Sequence, residues 1–210
     1  MKIIQGDSLE VMSKMTDNTF DVAFTSPPYN RKRNDKYTHY DDQINDYFTF
    51  LVSNIKEMIR VTKGNVFLNV QKNYYNKADI FRLFGSFANQ ICEVFIWEKS
   101  NPMPASGFNI TNAYEFIIVF GDSIKSNKTY TKNHLTTSVA RMHKEHKAVM
   151  HTGVAEFFIQ NFTQPGDKIL DPFFGTGTTG IVAEAFGRDC VGIELCDEYI
   201  QIANERIKYI

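Results

Sequence analysis

Short apolar runs alternate with amphipathic stretches along the whole chain, and this alternation restricts the fold more than any other feature. The runs are Lys2 to Gln5, Phe20 to Thr25, Asn65 to Val70, Glu93 to Trp97, Tyr114 to Phe120, Lys168 to Leu170 and Cys190 to Glu194. Their apolar, β-branched and aromatic content is that of parallel strands buried on both faces. Between them, Ser8 to Met15, Asn45 to Val61, Tyr75 to Asn89, Val154 to Phe162, Thr178 to Phe186 and Asp197 to Tyr209 read as helices. In the second helix, Phe48, Leu51, Val52, Ile55, Met58 and Ile59 recur at helical spacing and form a core stripe. Asp197 stands where it would cap the last helix. The alternation predicts an α/β fold, a doubly wound, mostly parallel seven-stranded sheet in which Tyr114 to Phe120 is the antiparallel member. Ligands of such sheets bind at the carboxyl ends of the strands. A chain of 210 residues is read as one domain, 1–210, with a short insert at about 121–147 where periodicity is weak.

Ser26-Pro27-Pro28-Tyr29 follows the second run directly. Adjacent prolines fix φ and remove two N–H donors, and Pro28 holds Pro27 extended, so no helix consumes the Pro27 carbonyl. A rigid carbonyl acceptor, a small hydroxyl and an aromatic face at a strand end suit the gripping of a planar ring by its exocyclic amine. The plainer alternative is a proline-stiffened loop.

Downstream, the segment from Asp167 to Gly180 reads as a strand, a glycine-rich turn and a helix start. Gly175, Gly177 and Gly180 allow close backbone approach to a ligand and close packing of helix on strand. Glu194 ends the next run, about 20 residues on, where an acid holds a ribose hydroxyl pair. That spacing also fits a nicotinamide site, but Asp171 at the mouth of the turn would repel a pyrophosphate. A carboxylate there welcomes a cationic amino group. S-adenosylmethionine carries an ammonium, a sulfonium and a ribose and no phosphate, so charge selects it over NAD.

Ser26-Pro27-Pro28-Tyr29 and the Asp171-Pro172-Phe173-x-Gly175-x-Gly177-Thr178 turn together resemble the catalytic and cofactor motifs of DNA amino-methyltransferases. The catalytic motif comes first, as in the circularly permuted β group of that family. Ile3 to Glu10, Trp97 to Pro104 and Tyr114 to Phe120 extend the resemblance over nearly the whole chain. It implies a Rossmann-like S-adenosylmethionine-dependent fold and methylation of an exocyclic amine on a base flipped out of duplex DNA. Ser26, Pro27, Pro28 and Tyr29 match the catalytic positions. Asp171, Pro172, Phe173, Gly175, Gly177 and Thr178 match the cofactor turn, Glu194 the ribose acid and Asp7 a residue near the cofactor's adenine. Serine before the prolines resembles the cytosine-N4 enzymes, with adenine-N6 as the alternative.

A formal net charge of −1 does not mark a nucleic-acid-binding protein, but the distribution of charge does. Arg31, Lys32, Arg33 and Lys36 follow the tetrad, and Lys125, Lys128, Lys132, Arg141, Lys144 and Lys147 crowd the insert. Both clusters are read as phosphate contacts to double-stranded DNA. Three cysteines without metal-ligand spacing, no membrane-length apolar run and no signal-peptide core fit a cytoplasmic protein without a metal. No cysteine lies in the tetrad, which discounts carbon-5 chemistry. A homodimer and a companion restriction endonuclease are the partners the resemblance brings into view. RNA or protein-glutamine methylation and a non-catalytic DNA-binding module are the rival readings; the motif order and the intact motifs weigh against them.

Overall fold

The computed structural model describes residues 1–31, 43–102, 110–138 and 150–208. Among the described residues, eight strands form one sheet: β1 (Lys2–Gln5), β2 (Val22–Thr25), β3 (Val66–Val70), β4 (Ile91–Lys99), β5 (Tyr114–Phe120), β6 (His134–Thr137), β7 (Lys168–Asp171) and β8 (Asp189–Glu194). Among the same residues six helices accompany them: α1 (Ser8–Ser13), α2 (Tyr47–Val61), α3 (Lys77–Ser86), α4 (Thr152–Phe162), α5 (Thr178–Ala185) and α6 (Asp197–Ile207). The strand order is β1-β8-β7-β2-β3-β5-β4-β6. Only β5 pairs antiparallel with its neighbours, β3 and β4. The doubly wound α/β architecture is therefore the expected one, with the antiparallel strand where the sequence placed it.

Side chains alternate between the two faces of the sheet, and the central strands are buried on both. Ala23, Leu68, Ile118, Leu170 and Ile193 pack beneath α1, α2 and α3, against Met12, Leu51, Ile55, Ile80 and Leu83. Phe24, Phe67, Ile117, Trp97 and Ile169 pack under α4, α5 and α6, against Phe158, Ile159, Val182 and Ala203. Phe24, Phe67, Phe95, Phe158 and Phe162 form a cluster of rings whose centroids lie 5.1–6.4 Å apart. Each such buried ring contributes about 1.5–3 kcal/mol.

Several local expectations change. The sheet has an eighth strand, β6, inside the segment read as an insert; it pairs parallel with β4 at the sheet edge. Asp197 does not cap α6. Cys196 is the N-cap, without a side-chain bond, and Asp197 lies in the first turn. In α2 the buried stripe is Tyr47, Leu51, Ile55, Met58 and Val61. Phe48 sits outside it, under the Arg82 guanidinium at 3.8 Å. Gly187 follows α5 with a left-handed φ of 74°, and the chain turns there. Among the described residues no helix is long and apolar enough to cross a membrane.

Candidate active site

Strands β1, β8, β7 and β2 are consecutive in the sheet and run the same way. Their carboxyl ends bring Asp7, Glu194, Asp171 and Ser26 to one rim. The Thr25 hydroxyl donates to Asp171 Oδ1 at 2.6 Å, a buried bond across 146 residues of sequence. The proline tetrad and the glycine turn thus meet on paired strands.

Asp171 is buried and has no ion pair among the described residues. Its Oδ1 also accepts from the Phe173 N–H at 3.1 Å. Burial raises its carboxyl to about 6, against the pull of the Thr179 and Thr25 hydroxyls and the Phe173 amide. Glu194 accepts one backbone N–H on each oxygen, from Gly175 at 2.7 Å and Cys196 at 2.8 Å. Burial raises its pKa as well, and those backbone bonds oppose the rise. Gly6 N–H bonds the Glu194 carbonyl, which sets Asp7 beside the same corner. There the Asp7 carboxylate caps α1 through the Glu10 N–H at 3.0 Å.

The glycines divide into two groups. Gly175 has a φ of 51°, and a Cβ there would stand in open space. Gly177 and Gly180 instead make room for the Phe174 ring, as does Gly192 of β8, where an added Cβ would lie 2.3 Å from that ring. A side chain at Gly175 would thus meet nothing, whereas Gly177 and Gly180 lie against the Phe174 ring. Phe173 packs its ring 5.6 Å from Phe50 of α2, and Pro172 is buried. Thr178 opens α5 with its hydroxyl facing Arg206 at 3.3 Å. Arg206, which sequence reasoning passed over, also holds the turn through Thr176 O at 2.6 Å and Thr176 Oγ1 at 2.7 Å.

Around the tetrad, the Pro28 carbonyl accepts from Tyr47 Oη at 2.6 Å. The Tyr29 carbonyl accepts from Asn73 and Asn76 Nδ2 at 2.7 and 2.9 Å. The Pro27 carbonyl takes no hydrogen bond among the described residues, so it stays available as an acceptor. Asn30, at a φ of 48°, exchanges two bonds with the Ile44 backbone and shapes the loop base. Arg31 bonds Gln71 Oε1 and lies 5.4 Å from the Tyr29 ring centroid.

A second layer of polar groups lies beneath the tetrad. Ser26 Oγ and Tyr29 Oη are 2.7 Å apart, and Tyr29 Oη donates to Glu115 Oε2 at 2.8 Å. Asn69 Nδ2 reaches Tyr29 Oη at 3.0 Å and Glu115 Oε2 at 2.9 Å. Lys99 Nζ pairs with Glu115 Oε1 at 2.6 Å. Burial, then the Glu115 charge, holds the Tyr29 phenol well above its usual pKa. Sequence reasoning missed Asn69, Lys99 and Glu115. The signal was present in the period of two: Asn69 and Lys99 stand two residues after Phe67 and Trp97, and Glu115 two residues before Ile117, on the sheet face that carries the phenylalanine cluster.

Of the expected DNA contacts, Arg31 is at the site, whereas Lys32, Arg33, Lys36, Arg141, Lys144 and Lys147 lie outside the described residues. Lys125 and Lys128 belong to the opposite rim. Their loop is tied to the end of α4 through Asn127 and to the start of β3 through Asn65.

A model of the DNA methylase family matches residues 20–205. The type II methyltransferase M.SmaI of Serratia marcescens is 30% identical over 263 aligned residues, covering 98% of this chain and 90% of that protein. Among solved structures, the cytosine-N4-specific PvuII DNA methyltransferase superposes with a TM-score of 0.80 at 22% identity, over 97% of this chain and 85% of that one. The M1.HpyAVI–SAM complex superposes with a TM-score of 0.70 at 22% identity, over 98% of both chains. At that identity the two structures establish a shared fold.

Proposed function

The chain belongs to the DNA methylase family, and on that footing we propose that it methylates the exocyclic N4 amine of cytosine in double-stranded DNA, using S-adenosylmethionine. It is a DNA methyltransferase of the N6/N4 group; the choice of cytosine rests on Ser26, the residue that precedes the prolines. The observation that carries the reading is the Thr25–Asp171 bond, which joins the amine-gripping tetrad to the cofactor turn.

The residues fit the cofactor. A buried carboxylate without a cation, Asp171, suits its ammonium. The Glu194 carboxylate is oriented by backbone N–H groups, Gly175 on one oxygen and Cys196 on the other, and a carboxylate held in this way suits a hydroxyl pair. Open space at Gly175 lets backbone meet ligand. When bound, S-adenosylmethionine supplies an electrophilic methyl whose carbon–sulfur bond breaks, its electron pair leaving on sulfur, as the nitrogen–carbon bond forms.

The protein's part is positioning. The amine lone pair of a base is delocalised into its ring. The Pro27 carbonyl and Ser26 Oγ accept its two N–H groups and draw the nitrogen toward tetrahedral geometry, which returns the lone pair to nitrogen. The methylated nitrogen then passes its extra proton to solvent. The Tyr29 ring stacks on the extruded base, a contact of about 1–3 kcal/mol. Arg31 and the lysines that follow it neutralise phosphates. The type II relatives point to a companion restriction endonuclease, and a short recognition segment favours a homodimer or a separate specificity subunit.

Incubation with S-adenosylmethionine and duplex DNA, then digestion and mass spectrometry, is expected to yield N4-methyl-2′-deoxycytidine. N6-methyl-2′-deoxyadenosine would move the reaction to the adenine amine. No methylated nucleoside would overturn the reading.

A further inference from the structure

A serine hydroxyl is ambivalent, since it donates one proton and accepts at two lone pairs. Only its accepting face can draw on an amine N–H. Behind Ser26 a chain of buried groups settles which face is presented. Glu115, 3% exposed, is the second residue of β5, and Lys99, 8% exposed, ends β4. The ammonium occupies Glu115 Oε1, so Oε2 is left for Tyr29 and Asn69. Tyr29 has one proton and places it on that carboxylate. Its oxygen is then an acceptor toward Ser26 at 2.7 Å, and the Ser26 proton is used there. Asn69 Nδ2 fills the remaining lone pair of Tyr29 Oη. The opposite polarity would set two unprotonated oxygens, Tyr29 Oη and Glu115 Oε2, 2.8 Å apart.

We propose that Glu115, paired with Lys99, is a positioning residue that acts through Tyr29 to hold Ser26 Oγ as a pure acceptor for the target amine. The inference rests on the amine-methyltransferase reading above. A raised phenol pKa keeps the Tyr29 proton in place across the working range. Mere stabilisation is a weak reason for such a pair, because apolar replacements of buried ion pairs are often neutral or stabilising. Asn69 is oriented by the same charge: turning its amide over would face its oxygen to the Glu115 carboxylate.

The test is a double-mutant cycle of Glu115→Gln and Tyr29→Phe, read by kcat and KM on duplex DNA, by calorimetric S-adenosylmethionine affinity and by thermal melts. In Glu115→Gln the amide oxygen stays with Lys99, so the amide nitrogen faces Tyr29. That nitrogen donates to Tyr29 Oη, sends the Tyr29 proton to Ser26 and turns the Ser26 proton toward the amine. The expected result is a kcat at least about tenfold lower with cofactor affinity within about threefold. In the Tyr29→Phe background the same substitution should add less than about threefold, because the relay is already cut. Wild-type kcat in Glu115→Gln, or effects that simply multiply, would overturn the proposal. If Glu115→Gln does not fold, Tyr29→Phe decides alone, since it removes one oxygen; an unchanged kcat overturns the relay. A wild-type protein that methylates no DNA defeats the functional reading, and the inference with it.

Discussion

Asp171 opposes folding of the free protein while equipping it to bind. Burial lifts its carboxyl to about 6, from an ordinary value of 3.8. Between those values the folded state holds more protons than the unfolded state, so the penalty is full above about pH 6 and fades as pH falls toward 4. Asp171→Asn is therefore expected to stabilise the free protein at about pH 8, by at most about 3 kcal/mol, with the gain shrinking toward about pH 5. The same change should weaken S-adenosylmethionine at least about tenfold. Melts across pH with calorimetric titration check both; an Asn variant less stable than wild type at the higher pH contradicts the assignment. Single residues were also where the sequence was least legible. Ser26, Asp171 and Glu194 stand in recognisable local patterns at strand ends. Lys99, Glu115 and Asn69 do not, because a charge near the end of an apolar run ordinarily reads as a solvated end, and a lone amide within one carries no pattern. Only strand pairing, Trp97 opposite Glu115 and Asn69 opposite Ile117, brings them under the tetrad.

At the level of elements, the Phe174 ring locks β8 to the turn before α5. It fills the space left by Gly177, Gly180 and Gly192. Gly192→Ala would drive a methyl into that ring, and overpacking of this kind costs about 1–3 kcal/mol. Denaturant unfolding is expected to show that loss, and unchanged stability would mean the ring has room to move. From sequence the turn's glycines looked alike, since spacing does not reveal whether a missing side chain admits a ligand or a neighbour's ring. Strand β6 was illegible for a related reason: four residues with one buried apolar side chain, Leu135, carry no periodic signal. The mostly apolar β3 and β5 and the α2 stripe carried strong signals. Even so, α2 is phased so that Tyr47 rather than Phe48 faces inward, where its hydroxyl holds the Pro28 carbonyl.

For the whole molecule, a ligand that binds only the folded state raises stability by about 2.7 kcal/mol at a hundred times its dissociation constant. For a chain of this size that is roughly 5–10 °C in Tm. S-adenosylmethionine and its demethylated product, which share the ammonium and the ribose, should both produce such a shift. NAD should produce none, because its pyrophosphate would meet Asp171. A shift with NAD would reverse the charge argument. The order of strands explains why both motifs could be read separately and still belong together: β2 and β7 are far apart in the chain but adjacent in the sheet. The lone reversal of β5 has a further outcome. Every other link from this rim crosses to the far side through a helix or a long excursion, whereas β4 ends at the rim and β5 starts from it. Lys99 and Tyr114 therefore stand on adjacent strands at the edge that carries Ser26. A link that starts and finishes at one edge can change in length while the register of every strand below it is kept.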